Sequence, residues 1–574
     1  MAKPNSIKNS EFRIKNSKNT TFWNNIKLQA LVLIILSFIL YGKALKFGFN
    51  YLDDSILVID QYKLNSDYNN IPKAFSQHIF KVDGKADMSH DYYRPLMTLS
   101  FMLDAHIAGS PAPYFYHLTN VLLHILTGIL LLIFFKKFGV APVPSFILCL
   151  FFLVNPALAQ AVAWIPGRND SLLAVFVLAS FIFLIRYIEE KKPYLLALHI
   201  LMFVLGLFAK ENGIMLIPLV FFYLKFIKGI NLKEQKTDIG KLALGYLICI
   251  LPWWFMRQAA LDANNATYVG NVIKNIITNA PMISQYIGKT LLPFDLSVLP
   301  TIKDTHYVYG IITVLFVAAA IYFTPVKRWN YIIFGMLWYF IFLFPALVSP
   351  FVGLEHRIYV PIFGFLLLMA ETKWIKQMQS SALASPNSRF SIQNLMIPLG
   401  FIIVFWFLTN NRLPVFKDRI SFYKNGTETS EYGTFAYLTL GKQYEKIEQY
   451  DSAIVTYQRG LKVDSTLIMF HNNMATDYMK LDMMPEAERE IKKELAIYPN
   501  NYTALQNLGT VYKLTNRMDL AAEQWRKVLA IKKDFTYAYQ ELAKYYLAKG
   551  DTLNYARNMA EANKAQQQIS KSVP

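Results

Sequence analysis

Apolar runs long enough to cross a bilayer recur through the first 410 residues of this chain. A bilayer core is about 30 Å thick, so a spanning helix needs about 20 mostly apolar residues. Eleven candidate spans lie near 28–46, 116–135, 142–160, 171–188, 194–209, 212–228, 240–256, 307–324, 331–349, 358–373 and 393–410. The segment Asn279–Pro293 is less apolar and suits the membrane interface; Leu96–Ile107, in the first long loop, suits a surface helix. Charged residues make up only 17% of the 574, against roughly 25% in a soluble domain. The 43 Phe and 35 Tyr suit aromatic belts at bilayer surfaces.

The net charge is +19, but its Lys and Arg are dispersed among short loops. That distribution reads as topology signal and attraction to anionic headgroups, not as a nucleic-acid surface. Cys149 and Cys249 both fall inside apolar runs, so a disulfide framework is excluded. The tail Met1–Lys27 is polar and basic, and the first apolar run ends without a small-residue cleavage site. It reads as a retained first span.

One set of alternate loops carries the tail, Lys136-Lys137, Lys191-Lys192, the Lys225–Lys241 loop, Lys327-Arg328, and Lys373 with Lys376 and Arg389. By the positive-inside rule these are cytoplasmic. An odd number of spans then puts the C-terminus outside. The opposite set holds the long loop Phe47–Phe115, the Asn155–Asp170 turn, Lys210-Glu211, the Arg257–His306 loop and Glu355-His356-Arg357. Each sets ionisable residues beside a span, where they are costly and tend to be functional. Chemistry belongs on this outer face.

After Asn411 the pattern changes to a 34-residue period. Gly441, Ala475, Gly509 and Ala543 recur in register with Tyr444, Tyr478, Tyr512 and Tyr546, and Ala453, Ala487 and Ala521 follow. This is the tetratricopeptide (TPR) signature of paired antiparallel helices crossing at small residues. About four such repeats stack into a curved solenoid with a concave binding face. The expected fold is all-α. Residues 1–27 form a basic tail, 28–411 a polytopic membrane domain with its first outer loop near 47–115, 412–432 a linker, and 433–574 the TPR domain.

The first outer loop opens on Asp53-Asp54. Adjacent side chains do not share a face, so one carboxylate points into a site while the other orients a partner or a metal. His90-Asp91-Tyr92-Tyr93-Arg94-Pro95 follows, then His117-Leu118-Thr119-Asn120, the Trp164–Asp170 turn, Ala209-Lys210-Glu211 and Glu355–Pro361. Carboxylates, Arg and Lys thus meet one membrane face from five turns. That suits a ligand with a phosphate, which Arg binds bidentately, and an apolar tail. No zinc spacing, Gly-rich phosphate loop or dinucleotide fingerprint occurs in the sequence.

These motifs, in this order and with the TPR tail, resemble bacterial relatives of the transmembrane and TPR-containing O-mannosyltransferases, within the GT-C glycosyltransferase superfamily. The resemblance rests on Asp53-Asp54, Tyr93-Arg94-Pro95-Leu96, His117–Asn120, Ala163-Trp164 with Gly167–Asp170, Ala209–Glu211, Leu291-Leu292-Pro293 with Leu296-Ser297, and Glu355–Pro361. Where the family has Glu-Arg before the late Tyr-x-Pro, this chain has Glu355-His356-Arg357. The resemblance implies a membrane enzyme, a GT-C type protein O-glycosyltransferase. It would move a sugar from a polyprenyl phosphate or diphosphate to Ser or Thr of exported proteins, outside a bacterial cytoplasmic membrane. It implies Asp53 as catalytic carboxylate, with Asp54 beside it, and Arg94, Arg168, Lys210, His356 and Arg357 on the donor phosphate. His117, Asn120, Asp170, Glu211, Glu355 and Tyr359 would support them. No cofactor is specified, and a divalent metal is compatible with the resemblance. The partners implied are the lipid-linked donor, the bilayer and an acceptor polypeptide on the TPR face. Two alternatives are a non-enzymatic TPR scaffold, which needs no carboxylate in the first loop, and a lipid-linked glycan transporter, which needs ionisable groups near mid-bilayer.

Overall fold

The computed structural model describes residues 22–50, 52–82, 85–86, 92–231, 234–261, 272–348, 353–383 and 393–572. The tail up to Thr21, Tyr51, the His90-Asp91 pair and Arg389 lie outside the described residues. Apart from the two-residue strands Lys81–Val82 and Lys85–Ala86, the regular structure is helical. The helices that build the membrane part are α1 (Ile26–Tyr41), α2 (Pro95–Ala108), α3 (Pro113–Lys137), α4 (Pro142–Leu153), α5 (Arg168–Glu190), α6 (Pro193–Ala209) and α7 (Leu216–Phe222). They continue with α8 (Lys236–Ala260), α9 (Met282–Leu291), α10 (Tyr307–Tyr322), α11 (Trp329–Val348), α12 (Ile362–Ala370), α13 (Lys373–Leu383) and α14 (Gln393–Arg412).

The chain is a multi-pass membrane protein whose eleven apolar stretches are largely helical among the described residues, though not eleven uniform spans. Among the described residues six helices are long and apolar enough to cross alone, and α4 with Pro156–Ala163 forms a pair bent by 52° that is apolar enough only when taken together. That break has a local cause. Asn155 caps the next turn by accepting from the Ala157 N–H, and Pro156 cannot continue the helix behind it. Stretch 212–228 is divided among a 3-10 turn, α7 and a π turn, and 358–373 among a 3-10 turn and α12. The segment expected at the interface contains α9, whose Gln285, Tyr286, Lys289 and Thr290 are buried against the protein. Lys289 reaches Glu355 at 3.0 Å there, and Asn155 donates to the Thr290 carbonyl at 3.0 Å.

Charge segregates to two ends of the bundle. At one end Lys137 meets Glu189 (2.8 Å), Lys191 meets Asp238 (2.8 Å), and Glu371 is clasped by Arg328 and Lys376. At the other lie Asp53, Arg94, Asp170, Lys210 and the Glu355 turn, as detailed below.

The C-terminal part is a TPR solenoid of four helix pairs. The segment 412–432, expected as a linker, instead folds into α15 (Arg419–Thr429), whose Phe422 and Tyr423 are buried. The repeats follow as α16 (Thr434–Lys446), α17 (Tyr450–Val463), α18 (Phe470–Lys480), α19 (Met484–Ile497), α20 (Tyr502–Leu514), α21 (Met518–Ile531), α22 (Thr536–Ala548) and α23 (Thr552–Ser572). The turn inside each pair carries one residue of positive φ: Glu448, Asp482, Asn516 and Gly550. The small residues sit where helices touch; a Cβ on Gly509 would meet Trp525 at 2.6 Å.

The array is fixed to the membrane part. Val298 N–H donates to Asn425 (3.3 Å), Gly48 N–H to the Lys417 carbonyl (2.8 Å), and Ser430 to Asp304. Ala436 and Leu440 of the first repeat belong to the same core as Val298, Leu299 and Tyr423.

Trp525 is fully buried. Trp525→Ala should cost about 3–5 kcal/mol. Because each repeat contacts only its neighbours, hydrogen-exchange protection should drop across α20 to α22 while the membrane helices keep theirs. A uniform loss would contradict this.

Candidate functional site

The site is assembled where polar turns interrupt the bundle. Ile165–Gly167 forms a 3-10 turn that runs straight into α5, so Arg168, Asn169 and Asp170 open that helix. The turn tolerates only glycine at 167: an added Cβ would lie 2.8 Å from the Ala161 Cα. Lys210 is extended (φ −161°, ψ 138°), which ends α6 and starts the Glu211–Met215 turn. A third 3-10 turn carries Glu355–Ile358.

These turns bring a group of charges together. Lys210 Nζ contacts Asp170 Oδ1 at 2.7 Å and Asn169 Oδ1 at 3.4 Å. His356 Nε2 lies 3.8 Å from the second Asp170 oxygen, and its ring lies 5.4 Å from that of Trp164. Gln160 accepts from the His356 backbone N–H at 3.2 Å. Arg94 stands over the Tyr92 ring at 4.2 Å and reaches Glu211 at 3.4 Å, while Glu211 also accepts from the Tyr93 N–H. Arg357 donates to the Ala346 carbonyl at 3.2 Å.

Burial lowers the Lys210 pKa, and the charges of Arg94 and Arg357 act in the same direction, against Asp170. Burial, followed by Lys210, Arg357 and Arg94, pushes His356 well below the usual histidine range. The imidazole is therefore neutral near pH 7. Arg94, Lys210 and Arg357 thus gather with Asp170 and Glu211, a set of guanidinium and ammonium donors suited to an anion.

The adjacent carboxylates divide their roles. Asp54 is buried and accepts from the Asn50 backbone N–H at 2.8 Å, closing the loop after the first span. Asp53 is recessed, and burial pushes its pKa up to about 6, with Arg94 opposing the rise. Tyr423 of α15 is close enough to feel both carboxylate charges. The segment leading to the repeats therefore comes near the first loop.

Several expected residues have other positions. Arg168, expected on a phosphate, is wholly buried and saturated by the protein. It pairs with Asp104, donates to Asn120 (2.8 Å), the Tyr116 carbonyl (2.7 Å) and Ser100 (3.2 Å), and lies over the Phe101 ring. Asn120 in turn donates to the Val162, Trp164 and Ile165 carbonyls, so it holds the turn in front of α5. His117 packs edge-on against Phe47. Tyr359 bonds His124 at 2.7 Å, inside the bundle.

Glu355 joins three elements: it takes Lys289 (3.0 Å), the Ser297 N–H (2.6 Å) and Arg412 (3.1 Å). It thereby anchors the turn that carries His356 and Arg357. Asp104, Lys289, Arg412 and Gln160 were not singled out from the sequence. A signal existed for Asp104 alone, a lone carboxylate inside the apolar run of α2, which demands a cation. Among the described residues no three His, Cys, Asp or Glu side chains gather as metal donors, and Asp54 is committed to Asn50.

No family model matches this chain. Among curated proteins it is similar to protein O-mannosyl-transferase TMTC3 of Homo sapiens, 22% identical over 585 aligned positions, which cover 90% of this chain and 62% of that protein. Protein O-mannosyl-transferase TMTC2 of Mus musculus is 36% identical over 171 positions, 28% of this chain and 19% of that protein. The chain therefore spans less than two thirds of the length of these relatives. Among solved structures, the crystal structure of MamA covers 27% of this chain and 90% of its own, at 24% identity and a TM-score of 0.25.

Proposed function

We propose that this protein is a GT-C type glycosyltransferase that moves a sugar from a polyprenyl phosphate or diphosphate to Ser or Thr hydroxyls of exported proteins, outside a bacterial cytoplasmic membrane. The observation that carries this is a recessed carboxylate, Asp53, close to Arg94, in a group that sets Arg94, Lys210 and Arg357 around Asp170 and Glu211. The curated relatives are protein O-mannosyl-transferases, which makes mannose the first sugar to test.

Chemically, a hydroxyl is a weak nucleophile that needs both positioning and a base. Asp53 takes the hydroxyl proton as the oxygen attacks the anomeric carbon. The bond from that carbon to the donor phosphate breaks, and its electron pair stays on the phosphate oxygen. Attack from the side opposite the leaving group inverts the anomeric centre. Lys210, Arg357 and Arg94 stabilise the charge that grows on the phosphate. Asp170 holds Lys210 in place, and neutral His356 supplies hydrogen bonding without another repelled cation. The TPR face holds the acceptor polypeptide.

The test uses purified full-length protein in nanodiscs with a polyprenyl-phosphate mannose and a Ser/Thr-rich peptide, read by peptide mass. Wild type should add one hexose. Arg357→Gln should lower kcat/KM about 10²-fold, the usual size for losing one charge-stabilising donor, with the fold intact. No transfer from any polyprenyl-linked sugar, together with unchanged protein glycosylation in a deletion strain, would refute the proposal.

A further inference from the structure

Glu355 carries one charge and is met by two buried cations, Lys289 at 3.0 Å and Arg412 at 3.1 Å. Lys289 alone would neutralise it. A second buried cation adds a desolvation cost, and a buried ion pair often gains no stability over an apolar pair. The other bonds of Arg412 show what it joins. Its Nη1 donates to the Leu296 carbonyl at 2.8 Å and to Asn425 Oδ1 at 3.0 Å, while Nη2 donates to Glu355 Oε2. One guanidinium therefore ties the segment after α9, the turn Glu355–Ile358 and α15 to the end of α14.

The far side of this link is held by the repeats. Asn425 also accepts from the Val298 N–H at 3.3 Å. Two residues on, the Thr427 carbonyl accepts from the Tyr437 hydroxyl of α16 (3.1 Å) and from Arg459 of α17 (3.2 Å). The first repeat thus grips α15, α15 grips Arg412, and Arg412 grips the residue that opens the turn bearing Arg357.

We propose that Arg412 is a positioning residue for the transfer reaction. Through Glu355 it sets the turn that presents Arg357 to the donor phosphate, and through Asn425 it takes its own setting from the helix on which the repeats are mounted. The proposal rests on the glycosyltransferase reading and adds what aligns its phosphate donor. A donor stabilises transition-state charge only when held where that charge develops, and a misplacement of about 1 Å can cost about 10²-fold in rate. The guanidinium presents its N–H groups in a rigid fork, so Glu355 and Asn425 cannot shift independently while both are bound. A lysine at 412 would be a point charge on a flexible stem, able to satisfy Glu355 without holding Asn425.

Substituting Arg412 would also disturb buried charge, so the test acts on Asn425, which is half-buried. Full-length protein in nanodiscs is compared as wild type, Asn425→Ala, Asn425→Asp, Arg357→Gln and the double variant Asn425→Ala with Arg357→Gln. Asn425→Ala should lower kcat about tenfold and leave KM for a polyprenyl-phosphate mannose within about twofold, the pattern of a contact that matters only in the transition state. Asn425→Asp keeps the accepting oxygen and should restore most of the rate. In the Arg357→Gln background, Asn425→Ala should cost less than about twofold, because the group it aligns is gone. Hydrogen exchange gives a reading that needs no transfer. The Arg357 and Tyr359 amides donate to the Leu354 and His356 carbonyls, and their exchange should quicken at least about fivefold in Asn425→Ala. The Ile165–Gly167 turn should keep its rate. Unchanged exchange at Arg357 and Tyr359 would overturn the proposal. A tenfold loss in both backgrounds would overturn it too, marking Asn425 as structural only. A wild type that transfers no sugar would sink the enzyme reading, and the exchange rates would still decide whether Arg412 sets the turn.

Discussion

Asp53→Asn should fold, insert and lose transfer, with kcat down about 10²–10⁴-fold, the range for removing a general base. The same group sets the acid limb of the pH profile. Burial holds Asp53 near pKa 6, against an ordinary 3.8. The carboxylate must be ionised to accept a proton, so activity should fall by half near pH 6 and vanish below it. Stability runs the other way. Between about pH 4 and 6 the folded chain binds a proton at Asp53 that the unfolded chain has released, so falling pH stabilises the fold through that window. At neutral pH the buried charge is a burden on the order of 1–3 kcal/mol. Asp53→Asn removes it, so the inactive variant should melt higher than wild type at pH 7.5. Thermal melts and peptide mass shifts on one preparation read both effects. Full activity in the variant would end the general-base assignment.

The second large effect concerns Arg168, which is wholly buried and pairs with Asp104. Arg168→Met should cost about 3–5 kcal/mol, because Asp104 is left as a lone buried charge. The yield of monodisperse protein in detergent should collapse. Adding Asp104→Leu should restore much of it, since an apolar pair of similar volume often replaces a buried ion pair without loss. A phosphate ligand would behave differently: Arg168→Met would then fold normally and raise only KM for the donor. Melting temperatures of the two singles and the double decide between these outcomes.

The difference between Asp53 and Arg168 shows what a linear sequence can carry. The repeats were legible because their packing is local: Gly509 and Trp525 touch within one helix pair, and the pattern recurs every 34 residues. Asp53 stands out in the sequence because a carboxylate just after a span is costly and local in sequence. Arg168 looked like a phosphate ligand because its partner, Asp104, lies in another helix across a loop. Glu355 draws Lys289 from 66 residues away and Arg412 from 57, separations at which nothing in the local pattern marks a pair. The segment 412–432 looked like a linker because it is short and polar, and that composition hides Phe422 and Tyr423, which turn inward on α15. Span bounds were harder to place for a related reason. Hydropathy counts apolar residues, but Asn155, Lys210 and Glu355 place helix breaks that hydropathy alone does not register.

The bonds joining α15 and the flanking Lys417 and Ser430 to Gly48, Val298 and Asp304 make the solenoid a ruler rather than a leash. A polypeptide gripped along the repeats would reach Asp53 at a set distance from its point of attachment. An extended chain advances about 3.3 Å per residue, so modified hydroxyls should fall within a narrow window of positions counted from the gripped stretch. Neighbouring Ser and Thr outside that window would be passed over however good their local sequence.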